Sequence, residues 1–233
     1  DHRDLHSFPT RRSSDLLIRC DLDFGTQYLA QIPMAPEAVR FNKTFDSLTL
    51  ENGHWLPRLR YFDILRRKIV THFGNVEMKD SAGIICDSCS LEGLVSLIVS
   101  LGFRSVLLFV PDDYEGNIEE LGRYFIGVNI KTIPFSTLTQ TQESTSLMIN
   151  AVDLESNPPL MNDLAYFNFM SAKGILIDLV SKTPVHPILF EAEKAGLRTL
   201  KRRDLLAFYD YESLRAVHSQ IENVKDQFFK NYL

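Results

Sequence analysis

Ser105-Val106-Leu107-Leu108-Phe109-Val110 is a continuous apolar run closed by Pro111. A run of that kind reads as a strand buried on both faces, which a parallel sheet covered by helices requires. Working outward, Ser88–Leu101 is amphipathic with a helical period and ends at Gly102, a natural helix stop. Downstream, Tyr114–Phe125 reads as helix and Asn129–Phe135 as strand. Leu147–Asn150 and Gly174–Val180 repeat the short apolar-strand theme. Pro187–Gly196 reads as helix, Arg198–Leu200 as a brief strand and Tyr211–Tyr232 as the closing helix. Strands alternating with helices imply β-α-β units and a parallel sheet.

Residues 17–85 are less periodic. Phe41–Leu50 reads as a helix. Tyr61–Thr71 is a better one, with Phe62, Leu65 and Ile69 on one face. Val76–Lys79 and Gly83–Cys86 read as two short strands around Asp80-Ser81-Ala82. Residues 1–16, DHRDLHSFPTRRSSDL, are similar to the conceptual translation of a short-read sequencing adapter and are set aside from fold reasoning.

Composition narrows the function classes. Of 233 residues, 45% are hydrophobic and 24% charged, with a net charge of −5, as in a soluble globular protein. A mildly acidic chain without a basic cluster speaks against nucleic acid as a partner, because phosphate binding needs Lys and Arg. Arg66-Arg67-Lys68 and Lys201-Arg202-Arg203 read as solvated surface. No apolar stretch approaches the ~20 residues of a membrane span. Three cysteines, Cys20, Cys86 and Cys89, form no disulfide framework and fit a reducing cytoplasm.

A series of motifs gives a family resemblance. Gly83-Ile84-Ile85-Cys86-Asp87 falls where shikimate dehydrogenases carry G-x-N-T-D, and Ile149-Asn150-Ala151 matches the start of their I-N-A-T segment. Ile177-Asp178-Leu179-Val180, with Pro187-Ile188-Leu189, Ala192 and Gly196, follows D-L-V-Y-x-P-x-x-T-P-L-L-x-x-A-x-x-x-G. Leu205-Leu206 sits at the Met-Leu of G-x-x-M-L-x-x-Q. Upstream, Pro36, Asn42 and Phe45 resemble S-P-x-x-H-N-x-x-F, and His54-Trp55-Leu56-Pro57 resembles the aromatic-x-Pro after it. The chain thus resembles the shikimate dehydrogenase family, two-domain enzymes that reduce 3-dehydroshikimate with NADPH. The stretch between Pro57 and Asp87 is shorter than the family's, so the N-terminal domain reads as cut down.

The resemblance implies an α/β fold: a Rossmann-like parallel-sheet domain preceded by a reduced α/β catalytic-type domain. Its expected parts are a truncated N-terminal substrate-type domain over 17–86, a Rossmann-like nucleotide-binding-type domain over 87–210, and a C-terminal helix over 211–233 packing back on the first domain. Ser105–Val110 is the expected first strand of the parallel sheet. The resemblance also implies Asp87 as the catalytic residue, Asn42 as a substrate contact, Asn150, Ala151 and Val180 as cofactor contacts, and no metal. No lysine carries over as the partner of Asp87. Asp87 can alternatively serve as the N-cap of Ser88–Leu101.

Several family positions are replaced. The phosphate-binding turn, placed after Ser105–Val110, reads Val110-Pro111-Asp112-Asp113-Tyr114-Glu115-Gly116. Pro111 removes an amide donor, and three carboxylates stand where a pyrophosphate would lie. Those carboxylates suit an empty helix N-terminus. Pro134-Phe135-Ser136-Thr137, at the position for the 2′-phosphate, contains no cation. The tyrosine of D-L-V-Y is Ser181, the threonine before Pro187 is His186, and the glutamine of the last motif is read as Phe208. His186 reads as an exposed loop residue. Cys86-Asp87-Ser88-Cys89 is a C-x-x-C at a helix start, open to a redox reading but better explained by packing. The functional expectation is a cytoplasmic shikimate dehydrogenase-like protein of aromatic amino-acid biosynthesis. It would take a small-molecule substrate, with NADP as the family's cofactor and NADP-dependent reduction impaired. The alternatives are a non-catalytic binding or scaffolding relative, or a fragment of a multifunctional aromatic-pathway polypeptide.

Overall fold

The computed structural model describes residues 17–74, 76, 78–87, 91–116, 118–180, 186–217, 222–223 and 225–232; residues 1–16, read above as adapter-derived, lie outside them. The N-terminal part is a three-stranded antiparallel sheet of β1 (Leu17–Arg19), β2 (Ser47–Glu51) and β3 (His54–Arg58), in that order. Asn52 and Gly53 join β2 to β3 with φ of 50° and 80°. Two successive positive φ values give the tight turn whose twist matches paired strands. The helix expected over Phe41–Leu50 therefore does not form. Instead α1 (Leu22–Tyr28) is followed by α2 (Glu37–Asn42), which ends at Lys43 in the left-handed region, and the chain then extends into β2. The hairpin wins because Ser47–Glu51 gains five register partners on β3.

Helix α3 (Tyr61–Phe73) buries Phe62, Ile64, Leu65 and Ile69. Its free amides are met from the sheet: the Asp46 carboxylate accepts from the Arg60 amide at 2.8 Å and from the Tyr61 amide. No strand forms at Val76, Met78 or Lys79. Val76 packs into the core instead.

The larger sheet is six-stranded and wholly parallel. Its strands are β4 (Ser81–Ile85), β5 (Ser105–Val110), β6 (Asn129–Pro134), β7 (Thr145–Asn150), β8 (Met170–Asp178) and β9 (Arg198–Leu200), in spatial order β6-β5-β4-β7-β8-β9. This is the doubly wound order of two mononucleotide-binding halves. Ser105–Val110 is accordingly the second strand, not the first. Ser81–Ile85 opens the sheet, within the stretch 17–86 ascribed above to the N-terminal unit. Its small residues hide its centrality in the sequence. Gly83 is small because Met148 of β7 crosses it: a Cβ there would stand 2.6 Å from the Met148 sulfur.

Alternation along the strands builds two cores. Val106, Leu108 and Val110 face one side with Ile84 and Ile149, against α3, α4 (Leu91–Ser100) and α5 (Ile118–Tyr124). Leu107, Phe109, Met148 and Leu176 face the other, against α6 (Pro158–Leu164) and α7 (Pro187–Lys194). The closing helix differs from the expectation. It starts earlier, as α8 (Arg202–Val217), with α9 (Lys225–Tyr232) separate. Helix α8 returns to α3, where Glu212 accepts from Arg67 at 2.6 Å and lies 3.1 Å from Arg215. Among the described residues no helix is long and apolar enough to cross a membrane.

Candidate functional site

In a doubly wound sheet the ligand crevice opens beyond the carboxyl ends of the strands where the order reverses. Here that point lies between β4 and β7. A cleft of about 530 Å³ opens there, between the strand ends, the N-terminal part and α8. Ligand sites commonly fall within roughly 300–1,000 Å³.

Asp87, Ala151 and Val180 all line this cleft. Asp87 follows the first strand of the sheet and is exposed, four residues ahead of Leu91. That is where a doubly wound fold turns toward a phosphate, not the place ahead of the sheet that a match to G-x-N-T-D implies. Asn150 lies beneath the cleft floor. Its amide donates to Asp178 Oδ1 at 2.9 Å and to the Val152 carbonyl at 3.0 Å, tying the ends of β7 and β8 together. Asn42 stands apart: its amide donates to Ala38 of its own helix at 2.7 Å. His186 is buried, not exposed, with Nε2 4.0 Å from Glu155. Cys86 is buried; Cys89 lies outside the described residues.

Sequence reasoning missed the polar groups deepest in the cleft: Asp46, Tyr61, Tyr209 and Arg202, with Arg19 and Cys20 beside them. Counting along G-x-x-M-L-x-x-Q from Leu205 puts Tyr209, not Phe208, at the glutamine and Arg202 at the glycine. Phe208 instead packs under the Lys68 ammonium, 5.4 Å from the ring centre. Arg202, read above as solvated surface, is half-buried against the cleft.

Burial dominates the electrostatics here. It pushes the Asp46 carboxyl above its ordinary value, against hydrogen bonds from Ser47 and the Tyr61 and Arg60 amides that favour the charge. It raises Tyr61, with the nearby Arg202 charge opposing, and raises Tyr209, with the Asp46 charge adding to the effect. The Cys20 thiol goes up to about 11, through burial first and then Asp46 and Asp21. The Tyr209 hydroxyl stands beside Asp46, close enough to favour its charge, yet has no well-formed hydrogen-bond partner. Arg19 pairs with Asp210, and its guanidinium lies 4.8 Å from the Tyr209 ring centre.

A second cavity, of about 730 Å³, lies on the β5 side of the crevice. It is the space a dinucleotide would need, and its lining does not fit one. With β4 as first strand, the family's G-A-G-G-x-x-x-A turn falls on Cys86-Asp87-Ser88-Cys89-Ser90-Leu91-Glu92-Gly93. Only the last small residue is kept, and Gly93 is needed for packing: a Cβ there would stand 2.0 Å from the Phe62 ring. Asp87, Glu92, Asp113, Glu115 and Glu120 all line the cavity. Lys43 is the cation beside them, and it binds Glu92 at 3.3 Å. The 2′-phosphate position follows β5, not β6, and reads Pro111-Asp112-Asp113. Two like charges ~4 Å apart repel by about 4 kcal/mol at an effective dielectric of 20. Asp87, Asp113, Glu115 and Glu120 are exposed, so water and salt reduce each one's repulsion of a pyrophosphate or a 2′-phosphate below that figure, and the effect is their sum.

Comparison with solved structures then places the architecture. A shikimate 5-dehydrogenase from Listeria monocytogenes, solved with shikimate and NAD, superposes with a TM-score of 0.67 at 13% identity, over 86% of this chain and 72% of that one. The fold is that of shikimate dehydrogenases. The Thermus thermophilus shikimate 5-dehydrogenase, solved with shikimate, gives 0.67 at 14% identity, over 93% and 78%. The dehydroquinate dehydratase and shikimate dehydrogenase of S. pombe AroM gives 0.71 at 10% identity, over 91% of this chain and 43% of that one. No sequence-family profile matches the chain, and neither does any curated protein. The shikimate dehydrogenase fold is therefore carried by topology at identities where sequence comparison finds nothing.

Proposed function

We propose that the chain is a cytoplasmic shikimate dehydrogenase-like protein of aromatic amino-acid biosynthesis. Its cleft binds a small-molecule substrate, and its NADP-dependent reduction of 3-dehydroshikimate is impaired. The observation that carries this reading is the cavity beyond β4 and β5. Asp87, Glu92, Asp113, Glu115 and Glu120 line it, and its Lys43 is already engaged by Glu92. Oxyanions are held by amides and cations, and the charged side chains around this cavity are carboxylates, with Lys43 engaged by one of them. Asp87, the catalytic candidate, and Ala151 and Val180, the cofactor-contact candidates, border the cleft, and Asn150, the third cofactor candidate, holds the strand ends that shape it. The free thiol of Cys20 is in keeping with a reducing compartment.

A second reading is a non-catalytic binding or scaffolding relative, or one part of a multifunctional aromatic-pathway polypeptide. The likeness to 43% of the S. pombe protein, which joins dehydroquinate dehydratase to shikimate dehydrogenase, supports it. A shikimate oxidation assay with NADP and with NAD separates the two. Slow turnover above background supports the impaired enzyme. Turnover at no rate above background supports the non-catalytic relative. Rapid turnover with NADP would overturn both.

A further inference from the structure

Strand β8 departs from its neighbour at the amino end of the large sheet. Thr145 of β7 pairs with Met170 and Leu147 pairs with Ile175, so two steps along β7 face five along β8, and three residues are looped out. The excursion, Ser171-Ala172-Lys173-Gly174, carries Lys173 at φ 63°, a conformation that a side chain disfavours. Gly174 has no room for a side chain: a Cβ there would stand 2.8 Å from the Met170 methyl and 3.0 Å from the Ser171 carbonyl. Bulges re-aim side chains, and backbone strain persists only where the surroundings hold it. Arg198 of β9 does so here. Its Nε donates to the Lys173 carbonyl and its Nη1 to the Phe73 carbonyl, each at 3.3 Å.

The excursion forms one wall of a cavity of about 350 Å³. Its polar lining is Ser146, Ser171, Lys173 and Arg198, and no carboxylate is among the described residues that line it. The cleft and the β5-side cavity, by contrast, are both rimmed with carboxylates. Glu193, in the helix before β9, is engaged by the Thr199 hydroxyl at 2.9 Å and lies 3.8 Å from Lys201. The two bonds from Arg198 go to neutral carbonyls and use two of its five N–H donors. A chain with a net charge of −5 thus sets two cations around one cavity. That cavity lies at the end of the sheet opposite the crevice, where a parallel sheet ordinarily carries no ligand.

We propose that this cavity is a binding site for a phosphate-type oxyanion, with Arg198 and Lys173 as its two cations. Two positive charges match a phosphate dianion, and a guanidinium fixed beforehand by two carbonyls suits its paired oxygens. The Ser171 hydroxyl donates to the Thr145 carbonyl at 3.2 Å, so it shapes the wall and leaves the anion to the cations. The volume admits free phosphate or a small phosphomonoester. The site is independent of the substrate reading of the cleft.

The test is calorimetric titration of the full chain with inorganic phosphate, glycerol 3-phosphate and acetate at constant ionic strength. Melting temperatures with and without inorganic phosphate accompany it. The variants are Lys173→Gly and Arg198→Gln. Lys173→Gly removes a cation and relieves the left-handed backbone, so without phosphate it should melt no lower than wild type. The proposal expects saturable binding of a phosphate probe, tighter than acetate, and the tighter of the two phosphates identifies the source. Each variant should weaken that binding roughly 10- to 100-fold and lose the rise in melting temperature that phosphate gives wild type. Undiminished phosphate binding by a well-folded Lys173→Gly would overturn the proposal. Acetate binding as tightly as phosphate would overturn it too, as would no saturable binding of either phosphate by wild type up to about 10 mM.

Discussion

Replacing Asp46 is the most informative perturbation of the cleft's framework. Its carboxylate is 2% exposed and accepts from both first amides of α3 and from the Ser47 hydroxyl at 2.9 Å. Losing a capping side chain costs about 0.5–2 kcal/mol, and each buried donor left unpaired about 1–3 kcal/mol. Those amides are only partly buried, and Asp46→Ala also removes a charge that is expensive to bury. The net expectation is a loss of about 2–3 kcal/mol, or roughly 6 °C in melting temperature for a chain of this size. Asp46→Asn keeps one acceptor oxygen and should lose about 1 kcal/mol. The pH dependence has a definite sign. Burial raises the folded-state pKa of Asp46 above its ordinary 3.8, so the folded protein holds this proton more tightly than the unfolded chain. Its contribution is fully present below the unfolded value and is lost as pH rises through the folded one. Wild type should therefore gain stability relative to Asp46→Asn as the pH falls from neutral toward the ordinary carboxylate range. Urea denaturation at several pH values, followed by circular dichroism, measures this. Asp46→Ala within about 0.5 kcal/mol of wild type would refute the capping role. A stability difference between wild type and Asp46→Asn that does not change with pH would refute the burial argument.

Other consequences follow from the same geometry. With its pKa near 11 instead of 9.0, Cys20 holds roughly 100-fold less thiolate at pH 8 than an ordinary thiol, so its alkylation, read by mass spectrometry, should be slow and should quicken in Asp46→Asn. Alkylation at the rate of free cysteine would contradict that. Leu108→Ala, at a fully buried position of β5, should cost about 3 kcal/mol in urea denaturation; a cost under about 1 kcal/mol would contradict its place in the core. The triple variant Asp87→Asn, Asp113→Asn, Glu115→Gln should bind NADPH at least about tenfold more tightly than wild type, a gain of ~1.4 kcal/mol in a fluorescence titration. No gain would show that charge is not what excludes the dinucleotide.

The parallel sheet was legible because strands buried on both faces leave unbroken apolar runs, and Ser105–Val110 is one. Its partner Ser81–Ile85 is less distinct in the sequence, since Ala82 and Gly83 are small, Gly83 because Met148 packs across it. With β4 first, the phosphate-binding turn falls at Cys86–Gly93 and not at Val110–Gly116. The Asn52-Gly53 hairpin signal was present in the sequence, and a helical reading of Phe41–Leu50 passed over it. The cleft itself was least legible. Asp46, Tyr61, Arg202 and Tyr209 come from β2's approach, α3 and α8, share no motif, and acquire their chemistry only from being buried together.

The most direct test of the account is a titration of the full chain with NADPH, following nucleotide fluorescence at low and moderate salt. The account predicts no saturable binding up to about 1 mM, the concentration corresponding to about −4.1 kcal/mol. Saturable binding in the micromolar range would contradict it, and would mean that the carboxylates at Asp87, Asp113 and Glu115 do not govern the crevice.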